Sequence, residues 1–372
     1  MPDPSYAALD ALAERAGYEP LDPPILQPAD LFLDLLGEDM RRRAFLTTDA
    51  EGREFCLRPD FTIPVSLHHL KHAAAGAVGA YAYRGPVFRF RTDGPGEFAQ
   101  AGFENFGRTD LEAADAEMLG LAIEAVQALG LESPEIRMGD AGIVTAMLDA
   151  LALPPVWRRQ LANDVLRVKN LDADLARLGE TTPKNGAAAY AGFLAALEGA
   201  DPGAARAAVA DLLSIAGIQP VGGRTVDEVA DRFLEQAALS SGGGIPAETV
   251  ALTRRLFAVA GDPDSASAAL RAIAADARLD LGAALDAFDR RTGFFAAQGV
   301  DVGAVKFSTA FGRRLDYYTG FVFELHDPAR PEGPQLVGGG RYDRLMTRLG
   351  APAPIPAVGC SIWLDRFAGE TP

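Results

Sequence analysis

The fold is decided by two stretches, Tyr81-Ala82-Tyr83-Arg84-Gly85-Pro86-Val87-Phe88-Arg89-Phe90-Arg91 and Glu97-Phe98-Ala99-Gln100-Ala101-Gly102-Phe103-Glu104-Asn105-Phe106-Gly107, joined by Thr92-Asp93-Gly94-Pro95-Gly96. Both runs are rich in β-forming residues and the connector carries Gly and Pro, so the segment predicts a hairpin. A tight turn over 92–96 sets Arg91 opposite Phe98 and Arg89 opposite Gln100. Side chains alternate along a strand, so Arg89 and Arg91 share a face. On the partner strand Gln100 and Glu104 share a face, with Gly102 leaving open volume between them. Guanidinium, amide and carboxylate groups above one sheet suit a zwitterion: Arg takes a carboxylate, Glu an ammonium or imidazole N–H, Gln either. The same pattern also describes a solvated sheet face crossed by ion pairs, and the residues alone leave both readings open.

Upstream, Ala7, Leu9, Leu12 and Ala13 recur at helical spacing before Gly17, and Pro20, Pro23 and Pro24 enforce extended chain through Ile25 and Leu26. Pro28 to Leu36 reads as helix, Arg43 to Leu57 as a hairpin turned at Asp49 to Gly52, and Asp60 to Lys71 as a helix capped by Asp60. A long helix opens at Thr109 or Asp110 and closes at Gly130. Residues 155–262 are Ala-rich and helical in period, broken at Ala200-Asp201-Pro202-Gly203 and at Ser240-Ser241-Gly242-Gly243-Gly244. Strand chemistry returns at Ala304 to Phe311 and Tyr318 to Leu325, around a polar turn, and at Ala357 to Ile362, with a last helix from Trp363. The expectation is an α+β fold, an antiparallel sheet core flanked by helices. Residues 1–154 and 263–372 form its halves and 155–262 a helical insertion.

Of the 372 residues, 48% are hydrophobic and 23% charged, a balance that excludes wholesale disorder. No run of about 18 apolar residues predicts a membrane span, and no N-terminal signal pattern is present. Two cysteines, Cys56 and Cys360, cannot make a disulfide scaffold, so a cytoplasmic location is expected. The net charge of −16 repels a polyanion and argues against nucleic-acid binding. His68 and His72 stand one helical turn apart, yet no third ligand is signalled, so they read as helix surface and no metal is expected. Tyr317 and Tyr318, adjacent on a predicted strand, point to opposite faces, one to the core and one to a pocket. Gly338-Gly339-Gly340 allows close backbone approach or positive φ, or else a hairpin turn; it lacks the Lys-Ser/Thr of a phosphate loop.

Together these segments resemble the class II aminoacyl-tRNA synthetase core, specifically histidyl-tRNA synthetase. Gly17-Tyr18 with Pro24-Ile25-Leu26 looks like motif 1, the dimer-forming element. Pro86-Val87-Phe88-Arg89 with Gln100 to Gly107 looks like motif 2, Leu315-Asp316-Tyr317-Tyr318-Thr319-Gly320 like the histidine-binding signature, Gly339-Gly340-Arg341-Tyr342-Asp343 like the block after it, and Gly359 to Arg366 like motif 3. The resemblance implies a histidine pocket. Asp60 and Thr62 match groups near the α-amino end, with Asp where Glu is usual. Arg89 and Gln100 match groups near the carboxylate and amino end, Glu104 and Tyr318 the pair that recognises the imidazole, and Tyr342 the residue that closes the pocket. Arg313 matches the arginine of the activation chemistry and Arg366 the motif 3 arginine that holds ATP.

The departures are as informative. Arg91 stands where the family's motif 2 acid reads the adenine amino group, and a guanidinium cannot accept that hydrogen bond. The motif 2 loop is short and carries no cation, Trp363 replaces a small residue, Asp365 replaces Glu, and the chain ends just after motif 3, without an anticodon-binding domain. Arg91, Trp363 and Arg366 therefore read as a vestigial nucleotide site. These features resemble the regulatory subunit of ATP phosphoribosyltransferase, a synthetase paralogue of histidine biosynthesis. That resemblance implies a chain with no catalytic residues and no cofactor, dimeric through motif 1. It would join a short catalytic subunit in a hetero-octamer and respond to free histidine, without tRNA or membrane. The alternative is a truncated ligase that still forms histidyl-adenylate.

Overall fold

The computed structural model describes residues 4–35, 42–74, 76–91, 94–151, 153–167, 171–178, 203, 207–208, 211–212, 245–313 and 317–367. Helix α1 (Pro4–Arg15) buries Leu9, Leu12 and Ala13 and leads to strand β1 (Glu19–Pro20). Strand β2 (Leu26–Pro28), helix α2 (Ala29–Leu35) and the hairpin β3 (Leu46–Thr48) and β4 (Glu54–Leu57) follow, and the three strands pair in the order β2-β4-β3. Next come helix α3 (Thr62–His72), strands β5 (Gly79–Phe88) and β6 (Glu97–Phe106), helix α4 (Leu111–Ala128), strand β7 (Glu135–Asp140) and helix α5 (Ala141–Ala150). Helices α6 (Pro155–Arg167), α7 (Leu171–Leu178) and α8 (Ala247–Phe257) precede strand β8 (Ala260–Gly261). Helices α9 (Pro263–Ala277) and α10 (Gly282–Ala297), strands β9 (Lys306–Ser308), β10 (Phe321–His326) and β11 (Val337–Arg341), helix α11 (Asp343–Arg348) and strand β12 (Ala357–Trp363) complete the chain.

The large sheet has nine strands in the order β1-β5-β6-β12-β11-β10-β7-β9-β8. Its neighbours are antiparallel except β1 with β5 and β7 with β9. The chain divides into two compact units, one of Met1–Ala150, Val165–Lys169 and Leu256–Pro372, the other of Leu151–Asp164 and Asn170–Arg255. The first holds both sheets. Among its described residues the second has helices and no strand. Most of the segment expected as a helical insertion lies outside the described residues, as do Thr92, Asp93, Arg314 and the Leu315-Asp316 part of the histidine-like signature.

Several local expectations are corrected. The β5–β6 register pairs Gly85 with Gln100 and ends at Phe88 with Glu97, so Arg89 and Arg91 lie in the connection, not opposite Gln100 and Phe98. The physical reason is a competing partner. Phe90 donates its N–H to the Arg43 carbonyl (2.8 Å) and stacks on Phe45 at 4.0 Å, drawing the chain off the ladder early. Gly102 leaves no open volume, because Tyr83 fills the space a Cβ would take. Strands β9 and β10 are not neighbours, because β7, unexpected from the sequence, runs between them. Its Glu135 and Arg137 alternate with Ile136 and Met138, and it was hidden by its brevity and by the charges it exchanges along and across the sheet edge. Tyr317 and Tyr318 sit in a turn before β10, not on a strand, and both are buried. After Trp363 the chain makes one 3-10 turn, Leu364–Arg366, rather than a described α-helix.

One buried ionic network ties helices to sheet. The Asp115 carboxylate on α4 accepts from Arg291 Nε of α10 (2.8 Å) and from Arg341 of β11 (2.7 and 2.9 Å). Arg291 also reaches Asp140 at the end of β7 (2.6 Å), and Arg341 reaches Asp343 (3.0 Å) and the Leu111 carbonyl (3.0 Å). Replacing Asp115 by Ala leaves two buried guanidiniums short of an anion. Such a break costs about 3–5 kcal/mol, so urea unfolding of Asp115→Ala is expected to show a loss of that size. A change below about 1 kcal/mol, the worth of an exposed pair, would refute it.

Candidate functional site

A cavity of about 990 Å³ opens on one face of the large sheet. Register explains its floor. Gly102, Ser361, Gly338, Glu324 and Arg137 stand in one row across β6, β12, β11, β10 and β7, and Gln100 pairs with Trp363 two residues away. Strand β11 offers no side chain to this face at Gly338 or Gly340. The Arg313 guanidinium lies where a Gly338 Cβ would be, and the Tyr318 ring lies 3.0 Å from a Gly340 Cβ position. The glycine run therefore serves close approach at Gly338 and Gly340, with a positive φ at Gly340, and is not a hairpin turn.

Asp60, Thr62, Arg89, Gln100, Arg313 and Tyr318 all line the cavity, as do Trp363 and Arg366. Asp60 precedes α3, and its Oδ1 lies 3.4 Å from the Ile63 N–H, a weak version of the expected cap, while Phe61 occupies the cap position. Asp60 Oδ2 has no hydrogen-bond partner. Burial pushes the Asp60 carboxyl up, against the pull of the Arg89 charge. Arg89 donates Nε to the Pro59 carbonyl at 2.6 Å. Gln100 is wholly buried, and neither polar atom of its amide has a partner. Arg313 donates to the Tyr318 hydroxyl at 2.5 Å and lies 3.4 Å from Glu324, an ion pair without hydrogen-bond geometry at Nε. Burial opposes ionisation of Glu324, but His326 at 3.1 Å and the Arg313 charge hold its carboxyl below the usual range.

Glu104 and Tyr342 stand one layer behind this wall. The Glu104 carboxylate accepts from Thr62 Oγ1 (2.7 Å), from the Tyr342 hydroxyl and, at 3.5 Å, from Tyr83. Tyr83 in turn meets Ser361 Oγ at 2.9 Å and stacks on Phe61 at 4.4 Å. Arg91 is apart from the cavity: it pairs with Asp365 at 2.9 Å and lies over the Phe98 ring at 3.3 Å. Trp363 is flanked by Arg366 at 4.5 Å and Arg313 at 5.8 Å from its ring centre, within cation–π range. The sequence reading missed Tyr83, Glu324 and Ser361; strand alternation from Glu104 and Trp363 was the available signal, but it needed the pairing of β10, β11 and β12. Among the described residues no group of three or more His, Cys, Asp or Glu could hold a metal.

Glu104 carries a testable signature. Burial, reinforced by the Asp60 charge, raises its carboxyl from 4.5 to about 8, although three hydroxyls favour the anion. A carboxyl whose folded value exceeds its unfolded one stabilises the protein at low pH, and the benefit fades as pH climbs from about 4.5 to 8. Glu104→Gln is expected to flatten this decline in thermal melts taken across that range. Parallel curves for the variant and the unaltered chain would refute it.

The comparisons with known proteins agree with this architecture. A family model described as histidyl-tRNA synthetase matches residues 5–233 and 209–367. The ATP phosphoribosyltransferase regulatory subunit of Brucella canis (strain ATCC 23365 / NCTC 10854 / RM-666) is 43% identical over 371 residues, covering 99% of this chain and 98% of that protein. That of Brucella abortus (strain 2308) is also 43% identical, over 99% of this chain and 97% of its own. A crystal structure described as an ATP phosphoribosyltransferase regulatory subunit/histidyl-tRNA synthetase from Bacillus halodurans C aligns with a TM-score of 0.65 at 21% identity, over 98% of this chain and 77% of that one. Histidyl-tRNA synthetase from Nostoc sp. PCC 7120 aligns at 0.63 and 17%, over 97% and 69%. The α+β, class II synthetase-like fold expected from the motifs is thereby confirmed.

Proposed function

The chain belongs to the ATP phosphoribosyltransferase regulatory subunits, within the histidyl-tRNA synthetase-like family, and we propose that its cavity is where that regulation senses free histidine. It acts on a phosphoribosyltransferase as a regulatory subunit and is not itself the catalyst. The observation that carries the histidine reading is the pair of unsatisfied buried groups in the wall, the Gln100 amide and Asp60 Oδ2, set beside the Arg89 guanidinium. Polar groups left unpaired in a protein interior cost free energy unless a ligand completes them. An amino acid supplies the complement: its ammonium to Asp60 and Thr62, its carboxylate to Arg89 and Gln100. The imidazole would reach Tyr318 and, through the Thr62 hydroxyl, the Glu104 carboxylate that Tyr342 and Tyr83 hold in place. Arg313 closes the far side against Tyr318.

Arg91, Trp363 and Arg366 belong to a nucleotide site that no longer seats its base, which disfavours the ligase reading. Arg91 already covers Phe98, and Arg366 covers Trp363. Feedback then requires only that histidine bind the inhibited assembly more tightly than the active one, typically by about 1–3 kcal/mol. A homodimer through the motif 1 segment fits the exposure of Ile25, Leu26 and Leu46 on the small sheet, and such dimers would join the short catalytic subunit in a hetero-octamer. No helix among the described residues is long and apolar enough to cross a membrane. A cytoplasmic location, without tRNA, completes the reading.

Calorimetric titration with histidine tests the pocket. Gln100→Leu and Thr62→Val are each expected to weaken binding about tenfold, the effect of stranding one hydrogen-bonding partner. Unchanged affinity in both would remove the site. In the assembled enzyme, adding this chain should raise the rate of the short catalytic subunit and histidine should reverse the gain, whereas histidine-dependent pyrophosphate–ATP exchange by this chain alone would restore the ligase reading.

A further inference from the structure

A second groove, of about 900 Å³, opens on the opposite side of the large sheet, where Ile136 of β7 points away from the cavity that its neighbour Arg137 lines. Its floor is apolar, built from Leu121 and Ile123 of α4, from Ile136, and from Val300 just beyond α10. Four carboxylates surround that floor, Glu117, Glu124, Glu132 and Asp301, and no Lys, Arg or His is among the described residues that line it. Glu117 is met by Arg108, and Glu124 by Arg15 at 2.6 Å, through solvent-exposed pairs that hold little. Glu132 and Asp301 are exposed and form no ion pair among the described residues. The cations of the adjacent strands, Arg137 and Lys306, are both taken by Glu135.

Two helix ends deepen the same charge. Helix α4 stops at Ala128 and α10 at Ala297, and Gln127 and Gln298 at those ends both line the groove. Neither helix has a basic residue in its last turn. The roughly half negative charge that gathers at a helix C-terminus is therefore not offset from within either helix. An apolar floor inside an anionic rim fits a segment that carries an apolar anchor flanked by Lys and Arg. A second copy of this chain is a poor occupant, because its net charge of −16 repels its twin.

We propose that this groove docks a cationic, apolar-anchored segment of the short catalytic subunit of the phosphoribosyltransferase. The proposal goes beyond the histidine reading and rests only on membership among the regulatory subunits. It sets partner and effector on opposite faces of one sheet. Consecutive residues of β7 then face the two, Ile136 the partner and Arg137 the effector cavity, so both binding events bear on one strand.

Sedimentation velocity of the full chain mixed with the short catalytic subunit tests the docking, alongside titrations of catalytic rate against added chain. Glu132→Lys is expected to weaken the complex about tenfold and Asp301→Asn about threefold. The chain concentration that gives half-maximal activation should rise by the same factors, with the maximal rate unaltered. Added salt should weaken the unaltered complex more steeply than the Glu132→Lys complex. Glu332→Lys, the same charge change at an exposed position between β10 and β11, should bind as the unaltered chain does. Histidine affinity of the isolated variants should stay within about twofold, and their circular dichroism should not change. Equal binding by the unaltered chain, Glu132→Lys and Asp301→Asn, or an equal loss in Glu332→Lys, would overturn the groove and leave the regulatory assignment standing. A changed oligomeric state of Glu132→Lys on its own would give the groove to a second copy and overturn the proposal. No complex between the unaltered chain and the catalytic subunit would overturn both.

Discussion

The Asp115 carboxylate is the constraint from which the rest follows. It sits fully buried between Arg291 and Arg341, and its three elements are the long helix behind the sheet, the helix beside it and the glycine strand. Ion pairs in an apolar interior add little net stability over well-packed hydrophobic residues, but each partner is costly to strand. The consequence is positional: Arg341 cannot slide along its strand without leaving Asp115, so Gly338 and Gly340 cannot slide either. Those two positions create the shallow floor on which Arg313 and Tyr318 lie. Packing on the far side of the sheet thus fixes where charge can be placed on the near side.

On that near side two classes of polar group behave differently. Glu104, Tyr342, Tyr83 and Thr62 satisfy one another, a closed network that stiffens the wall. The Gln100 amide and Asp60 Oδ2 find no hydrogen-bond partner among the described residues. A protein interior rarely tolerates such groups, and their position in a cavity rather than in packed core is what gives them meaning. The aromatic faces near the motif 3 turn follow the opposite logic, being covered by the chain's own arginines.

Much of this was legible in the sequence because it rests on local rules. Turn chemistry at Asp49 to Gly52, the proline break before Ile25 and the helical spacing of Leu9 and Leu12 each act within a few residues, and the structure follows them. The motif residues Asp60, Thr62, Arg89, Gln100, Arg313 and Tyr318 do converge on one cavity. What the sequence hid depends on long-range competition. The β5–β6 register is set by Phe90 leaving the ladder for Phe45 and Arg43, partners more than forty residues away. Strand β7 is placed in the sheet by β10 and β9, which come almost two hundred residues later. The retreat of Glu104 behind Thr62 reflects the filling of Gly102's space by Tyr83, a volume effect no alternation pattern records.

The bare face of β11 has a consequence for how this pocket can change over time. At position 338 any side chain would collide with the Arg313 guanidinium, and at 340 it would press on the Tyr318 ring and the Phe321 carbonyl. At 340 the Phe321 carbonyl and a φ of +152° bar any side chain, whereas at 338 one enters only if the Arg313 guanidinium gives way. Glycine strand and overlying residues therefore constrain one another, so a change in ligand preference enters more readily through Arg42, Arg43 or Gln335, which line the same cavity without such a contact.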